Sequence, residues 1–77
     1  MNKKEMDKKY KIKQLETISN KNNNYQIHES YGSFKVLNFQ NYSEAFKEFE
    51  KIDFECNLWE LPTNSGPNLI YEKQKLI

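Results

Sequence analysis

His28, Glu29 and Ser30 stand next to one another in the sequence, and hydrolytic enzymes use these residue types together. The segment that contains them, YQIHES, has Tyr25 and Ile27 at alternate positions, which is typical of a strand. Adjacent strand residues point to opposite faces, whereas a catalytic triad needs side chains that converge from separate elements. The sequence therefore predicts that His28 is a surface residue or a pH-sensitive interface contact, not a catalytic base.

Cys56 is the single cysteine of the chain, so an intramolecular disulfide is excluded and no zinc-binding cluster is visible. A nucleophilic cysteine needs a helix N-terminus or a cation that lowers its pKa. Cys56 instead alternates with Phe54 and Leu58 on one face of a predicted strand. We expect a buried apolar residue, a reducing cytoplasmic setting, and no metal or other cofactor.

Carboxylates are frequent in the second half of the chain, where a pair of them could act as acid and base. Those on the predicted helix fall on its solvent side, where glutamates keep a small protein soluble. A 77-residue domain also has little room for a substrate cleft. The sequence predicts that the protein is not an enzyme; the carboxylates concerned are Glu48, Glu50, Asp53, Glu55 and Glu60.

A helix is predicted after Asn41, which can accept a backbone hydrogen bond as the N-cap, with Glu44 three residues later to return one. The apolar residues that follow recur every three or four positions and form one stripe over three turns. They are Tyr42, Ala45, Phe46, Phe49 and Ile52.

Strands are predicted on both sides of this helix. YQIHES and FKVLNF form a hairpin around Gly32, and a strand beginning at Phe54 is joined through PTNSGP to a last strand, NLIYEK. YKIKQLETI favours a further strand at the beginning of the fold, although its spacing also suits a short helix. The predicted fold class is α+β, a small antiparallel sheet with one helix on one face, in (β)ββαββ order.

Charge divides the chain into two parts. Residues 1–24 carry seven lysines and three acids, a net +4, whereas residues 25–61 carry three lysines and seven acids, a net −4. We predict a partly flexible basic arm over residues 1–24, which can add the first strand, and a ββαββ domain over residues 25–77. No signal peptide or membrane-spanning segment is visible, so a membrane partner is not expected.

Ten aromatic rings between Tyr25 and Tyr71 exceed what one helix and one sheet face should need. Trp59 and Leu61 have the opposite parity to Cys56 and Leu58, which places them on the sheet face away from the helix. Leu37 and Phe39 have the opposite parity to Phe34 and Val36, which predicts an apolar patch on the same open face. We expect this open face to bind another protein or protein complex, because tryptophan and tyrosine are enriched in interface hot spots. The predicted partner-binding residues are Trp59, Leu61, Leu37, Phe39, Tyr31, Glu48 and Glu55.

Four alternatives remain open at this stage. The segment with Tyr10, Ile12, Leu15 and Ile18 could fold back over the open face, or a homodimer could form through that face. An accessible edge strand could also pair with a strand of a partner. Single-stranded nucleic acid could stack on the sheet aromatics, held by the N-terminal lysines. The acidic body, the absence of arginine and the lack of an RNA-recognition motif argue against nucleic acid. Its candidate contacts are Lys8, Lys9, Lys11 and Lys13.

In general style, this short chain rich in lysine and asparagine resembles the products of low-GC bacteria and their phages. Small phage proteins of this kind often inhibit a host or defence complex by occupying a working surface. The resemblance therefore implies an inhibitor that docks on such a complex.

Overall fold

The computed structural model describes residues 10–30 and 35–76, which form one antiparallel five-stranded sheet and one helix. The predicted α+β class is therefore confirmed. In chain order the elements are β1 (Tyr10–Gln14), β2 (Asn24–Glu29), β3 (Val36–Phe39), α1 (Tyr42–Lys51), β4 (Cys56–Leu61) and β5 (Asn68–Lys75). The strands lie side by side in the order β1-β5-β4-β2-β3.

The helix begins where the sequence predicts. Asn41 has an extended backbone, and its side-chain Oδ1 accepts a hydrogen bond from the Glu44 N–H at 2.9 Å. The last helical hydrogen bond runs from the N–H of Ile52 to the carbonyl of Glu48 at 3.2 Å. The apolar stripe of the helix lies on the sheet, with Ala45 and Phe49 fully buried.

The core lies between the helix and one face of the sheet, which we call the helix side. Its buried residues are Tyr25, Ile27, Ala45, Phe49, Ile52, Cys56 and Leu58. Half-buried Ile18, Leu37, Phe39, Tyr42, Phe46 and Tyr71 pack against them. The interior therefore contains two fully buried aromatic rings and four half-buried ones, more than the sequence pattern suggested.

Residues 15–23 connect β1 to β2, and because β5 and β4 lie between those two strands, this connection crosses the sheet. It crosses on the helix side, since Ile18 packs against the core and the Tyr42 N–H donates to the Lys21 carbonyl at 2.8 Å. The segment thus covers a part of the helix side and leaves the opposite face free. The predicted alternative, in which it covers the open face, was wrong.

Two predictions about the strands differ from the structure: where the fourth strand begins, and on which sheet face Leu37 and Phe39 lie. The fourth strand begins at Cys56 and not at Phe54, whose side chain is 41% exposed in the connection that follows the helix. Leu37 and Phe39 lie on the helix side and not on the open face. The register decides this, because Leu37 is paired with Ile27 and Phe39 with Tyr25, and both partners are core residues. The predicted turn around Gly32 lies outside the described residues.

Candidate functional site

The face of the sheet away from the helix, which we call the open face, is not covered by any element of the described residues. Its central side chain is Trp59, on β4, which is half-buried. Trp59 is opposite Gln26 on β2 and Leu69 on β5. A β-bulge at this point, with Leu58 paired to Tyr71 and Trp59 to Leu69, gives β5 one extra residue beside the tryptophan.

Trp59 combines a large ring with an unsatisfied donor. Its indole Nε1 is shielded from solvent and has no hydrogen-bond partner among the described residues. The ring centroid lies 5.8 Å from that of His28, with the two planes at 36°. A buried N–H without an acceptor costs about 1–3 kcal/mol, so a change that brings this N–H to an acceptor is favourable.

Hydrogen-bonding side chains surround Trp59 toward β3. His28 Nε2 donates to Gln26 Oε1 at 2.9 Å, and Gln26 Nε2 donates to Asn38 Oδ1 at 2.8 Å. This chain of three polar groups crosses two strands and fixes the orientation of the His28 ring beside Trp59. Beside Trp59 the open face therefore carries hydrogen-bonded amides toward β3 and the apolar side chain of Leu69 on β5.

Toward β1 the open face becomes charged. Lys11 and Lys13 are exposed and share this face, because they alternate with Tyr10 and Ile12, which lie on the helix side. Glu72 lies between Lys13 and Asn57 in the sheet register. Two of the lysines predicted as nucleic-acid contacts thus lie on the same face as Trp59, with a carboxylate between them and the ring.

The remaining predicted contacts are scattered. Leu61 is half-buried on the open face, in line with Trp59. Glu48 is half-buried on α1, and Glu55 lies before β4, where its Oε2 accepts a hydrogen bond from the Lys75 N–H at 2.8 Å. Tyr31, Lys8 and Lys9 lie outside the described residues. Of the predicted partner-binding residues that the structure describes, only Trp59 and Leu61 lie together on the open face.

Sequence reasoning missed Glu60, which is fully buried on the helix side. Its carboxylate accepts hydrogen bonds from the backbone N–H groups of Ser19 (3.1 Å to each oxygen) and Asn20 (2.9 Å) and from Asn23 Nδ2 (3.0 Å). The Tyr25 hydroxyl lies 3.2 Å from Oε2 and 2.9 Å from the Asn20 carbonyl, so these acceptors share its single proton. Glu60 thus holds the segment that crosses the sheet.

The pKa of Glu60 reflects two opposed effects. Burial alone raises the pKa of a carboxyl group, but the hydrogen bonds from Asn20, Ser19, Asn23 and Tyr25 outweigh it and hold the pKa below its ordinary value. Glu60 is therefore ionised at neutral pH, and hydrogen bonds stabilise its charge. The sequence did contain a signal for the burial of Glu60. Glu60 alternates with the buried Cys56 and Leu58 and therefore lies on the same face of the strand.

Lys73 is a second buried charge that the sequence did not predict, with 3% of its surface exposed. Its Nζ donates to the carbonyls of Phe49, Ile52 (2.8 Å) and Glu50 (3.4 Å), which lie at the C-terminal end of α1. Nζ also lies 5.0 Å from the centre of the Phe49 ring. Burial lowers the pKa of Lys73. The acidic groups around Lys73 act in the opposite direction, but they offset only a part of this effect, so the pKa stays below its ordinary value.

The described residues contain no group of three or more histidine, cysteine or acidic side chains that could hold a metal ion. Burial raises the pKa of the Cys56 thiol to about 11, and Glu29 adds to this effect while Lys73 opposes it. Cys56 is consequently a thiol and not a thiolate at neutral pH. Within the described part of the chain, no helix has the length and apolar character needed to cross a membrane.

Comparisons with protein-family models, with curated proteins and with solved structures found no match to this chain.

Proposed function

We propose that this chain is a small, non-enzymatic, cytoplasmic protein-binding module that docks on another protein through the open face around Trp59. The observation that carries the proposal is the state of Trp59. It is the only tryptophan of the chain. Among residues 10–30 and 35–76, no helix or strand covers its sheet face and no acceptor lies near its indole N–H. Tryptophan is among the residues most enriched in binding hot spots.

The rest of the open face suits a protein partner. Toward β3, the side chains beside Trp59 are amides and an imidazole, which form hydrogen bonds with backbone or side-chain groups of either polarity. Gln26 and His28 are half-buried, and hydrogen bonds join them to each other and to the exposed Asn38, so binding costs little side-chain entropy. A polar rim around one buried aromatic anchor is the usual anatomy of a protein interface.

The form of binding that we favour is inhibition, in which this chain occupies a working surface of a host or defence complex. Inhibition of this kind is typical of small proteins from phages and mobile elements. It needs no catalytic group of its own, only a rigid surface.

The test is affinity capture from cells that naturally produce the protein, with wild type and two variants in parallel. Wild type and Phe54→Ala should retain the same partner, and Trp59→Ala should lose it. Phe54 is the matched control, because it is an aromatic residue with 41% exposure that lies outside the sheet. Binding of the purified partner should then change the emission of the single tryptophan. Equal capture by Trp59→Ala, or a partner that leaves the emission unchanged, would contradict the proposal.

A second function, single-stranded nucleic-acid binding, is favoured by one observation. Lys11 and Lys13 share the open face with Trp59 and His28, so a strand could lie across lysines and rings together. Titration of labelled oligothymidylate at rising salt separates the two functions. Phosphate contacts make affinity fall steeply with salt, and the loss of Lys11 and Lys13 should reduce that slope. A salt-independent protein complex supports the first function.

A further inference from the structure

The two edges of the sheet differ in their protection. β1 presents Lys11 and Lys13, and charged side chains, lysine above all, keep other strands from pairing with an edge. β3, at the other edge, consists of Val36, Leu37, Asn38 and Phe39 and carries no charge. Val36 is 43% exposed. The unprotected edge of this sheet is therefore β3.

The register shows which backbone groups of β3 point outward. The Glu29 N–H donates to the Lys35 carbonyl, so this pair is hydrogen-bonded. Hydrogen-bonded pairs alternate along an antiparallel ladder, which makes Leu37 and Phe39 the residues bonded to β2. The N–H and C=O groups of Val36 and Asn38 consequently point away from the sheet, and no strand among the described residues pairs with them.

From this edge we infer that the protein self-associates, with β3 of one copy pairing antiparallel to β3 of a second copy. A two-fold axis at Asn38 places Asn38 opposite its own equivalent as a hydrogen-bonded pair. In the same register, Leu37 of each copy lies opposite Phe39 of the other copy. These two pairs continue the apolar layer on the helix side from one copy to the next. The uncharged strand brings no like charges together, and antiparallel pairing puts the two Lys35 side chains at opposite ends.

The dimer should be weak, because one four-residue edge buries less than the 1,200 Å² or so of a standard interface. Sedimentation equilibrium over a wide concentration range measures it. The mass of wild type should rise with concentration. Val36→Lys should weaken the dimer about tenfold or more, because it adds a charge to the pairing edge. Ile12→Lys should not, although Ile12 has a similar exposure of 39% on the other edge.

Val36→Pro gives a second test, since it removes an outward N–H and no hydrogen bond to β2. Hydrogen exchange at the amides of Val36 and Asn38 should also slow as the concentration rises. A wild type that stays monomeric up to about 1 mM, or a dimer that Val36→Lys and Val36→Pro leave intact, overturns the inference. Trp59→Ala should dimerise like wild type, so failure of the open-face proposal and failure of this one are separate results.

Discussion

The two faces of the sheet differ in how their polar atoms are satisfied. On the helix side, the buried charges Glu60 and Lys73 are both fully hydrogen-bonded by groups of the same chain. On the open face, the shielded indole N–H of Trp59 has no partner among the described residues. A buried polar group without a partner costs free energy, and natural proteins retain few of them. The helix side therefore satisfies its buried charges within the chain, and the unsatisfied N–H on the open face is the reason that we propose this face for binding.

The largest effect is expected in the core. Phe49→Ala should lower the free energy of unfolding by about 3–5 kcal/mol, because it leaves a cavity beneath the helix. Phe54→Ala is the matched control and should change stability by no more than about 0.5 kcal/mol, since Phe54 is exposed. Urea denaturation of both variants measures the difference. Equal losses would mean that the helix side is not the stabilising face.

Glu60→Gln should cost about 2–3 kcal/mol. The amide keeps the shape of the carboxylate but loses its charge, and its NH₂ group meets the backbone donors of Ser19 and Asn20. The exposed Glu50→Gln should be nearly neutral and serves as the control. Hydrogen exchange at residues 19–23 should increase in Glu60→Gln alone. An unchanged exchange rate there would show that Glu60 does not hold the crossing segment.

The pH dependence of stability should reveal the same residue. The folded pKa of Glu60 lies below its unfolded value, so its contribution is complete above the unfolded pKa of about 4.3. That contribution is lost as the pH falls from there through the folded pKa. The stability difference between wild type and Glu60→Gln should therefore shrink in acid. A difference that is constant over this range contradicts the assignment.

The smallest effect on folding is expected on the open face. Trp59→Ala should cost roughly 1 kcal/mol, the centre of the range for single substitutions, because Trp59 is only half-buried and its N–H has no acceptor among the described residues. Chemical denaturation measures this loss. A loss as large as that of Phe49→Ala would place Trp59 among the residues that stabilise the fold, and the contrast between the faces would disappear.

Much of the fold could be predicted from periodicity. The apolar stripe from Tyr42 to Ile52 predicted the helix and its buried face, and Asn41, as the N-cap, predicted where the helix begins. Both features could be predicted because capping and amphipathicity are local properties. The alternation at Cys56 and Leu58 correctly put Trp59 on the other face of the sheet.

The errors arose where a local pattern needs long-range information. The sequence correctly placed Leu37 and Phe39 on the opposite face of the strand to Val36. Alternation alone does not say which of these two faces meets the helix, because only the pairing with β2 decides it. Glu60 and Lys73 were missed because their partners lie far away in sequence, at Ser19 to Tyr25 and at Phe49 to Ile52. The one local signal that such a partner exists is a charged residue that alternates with buried residues along a strand.

The contact of Lys73 with the end of the helix also constrains how the chain folds as it is made. Lys73 is 24 residues after Phe49 and 21 after Ile52. A ten-residue helix is marginal in water by itself, since isolated helices need about 12–15 residues. During synthesis on the ribosome, the helix therefore lacks its C-terminal hydrogen-bond donor until β5 has left the exit tunnel. We expect the core to form late, after translation has passed the fifth strand.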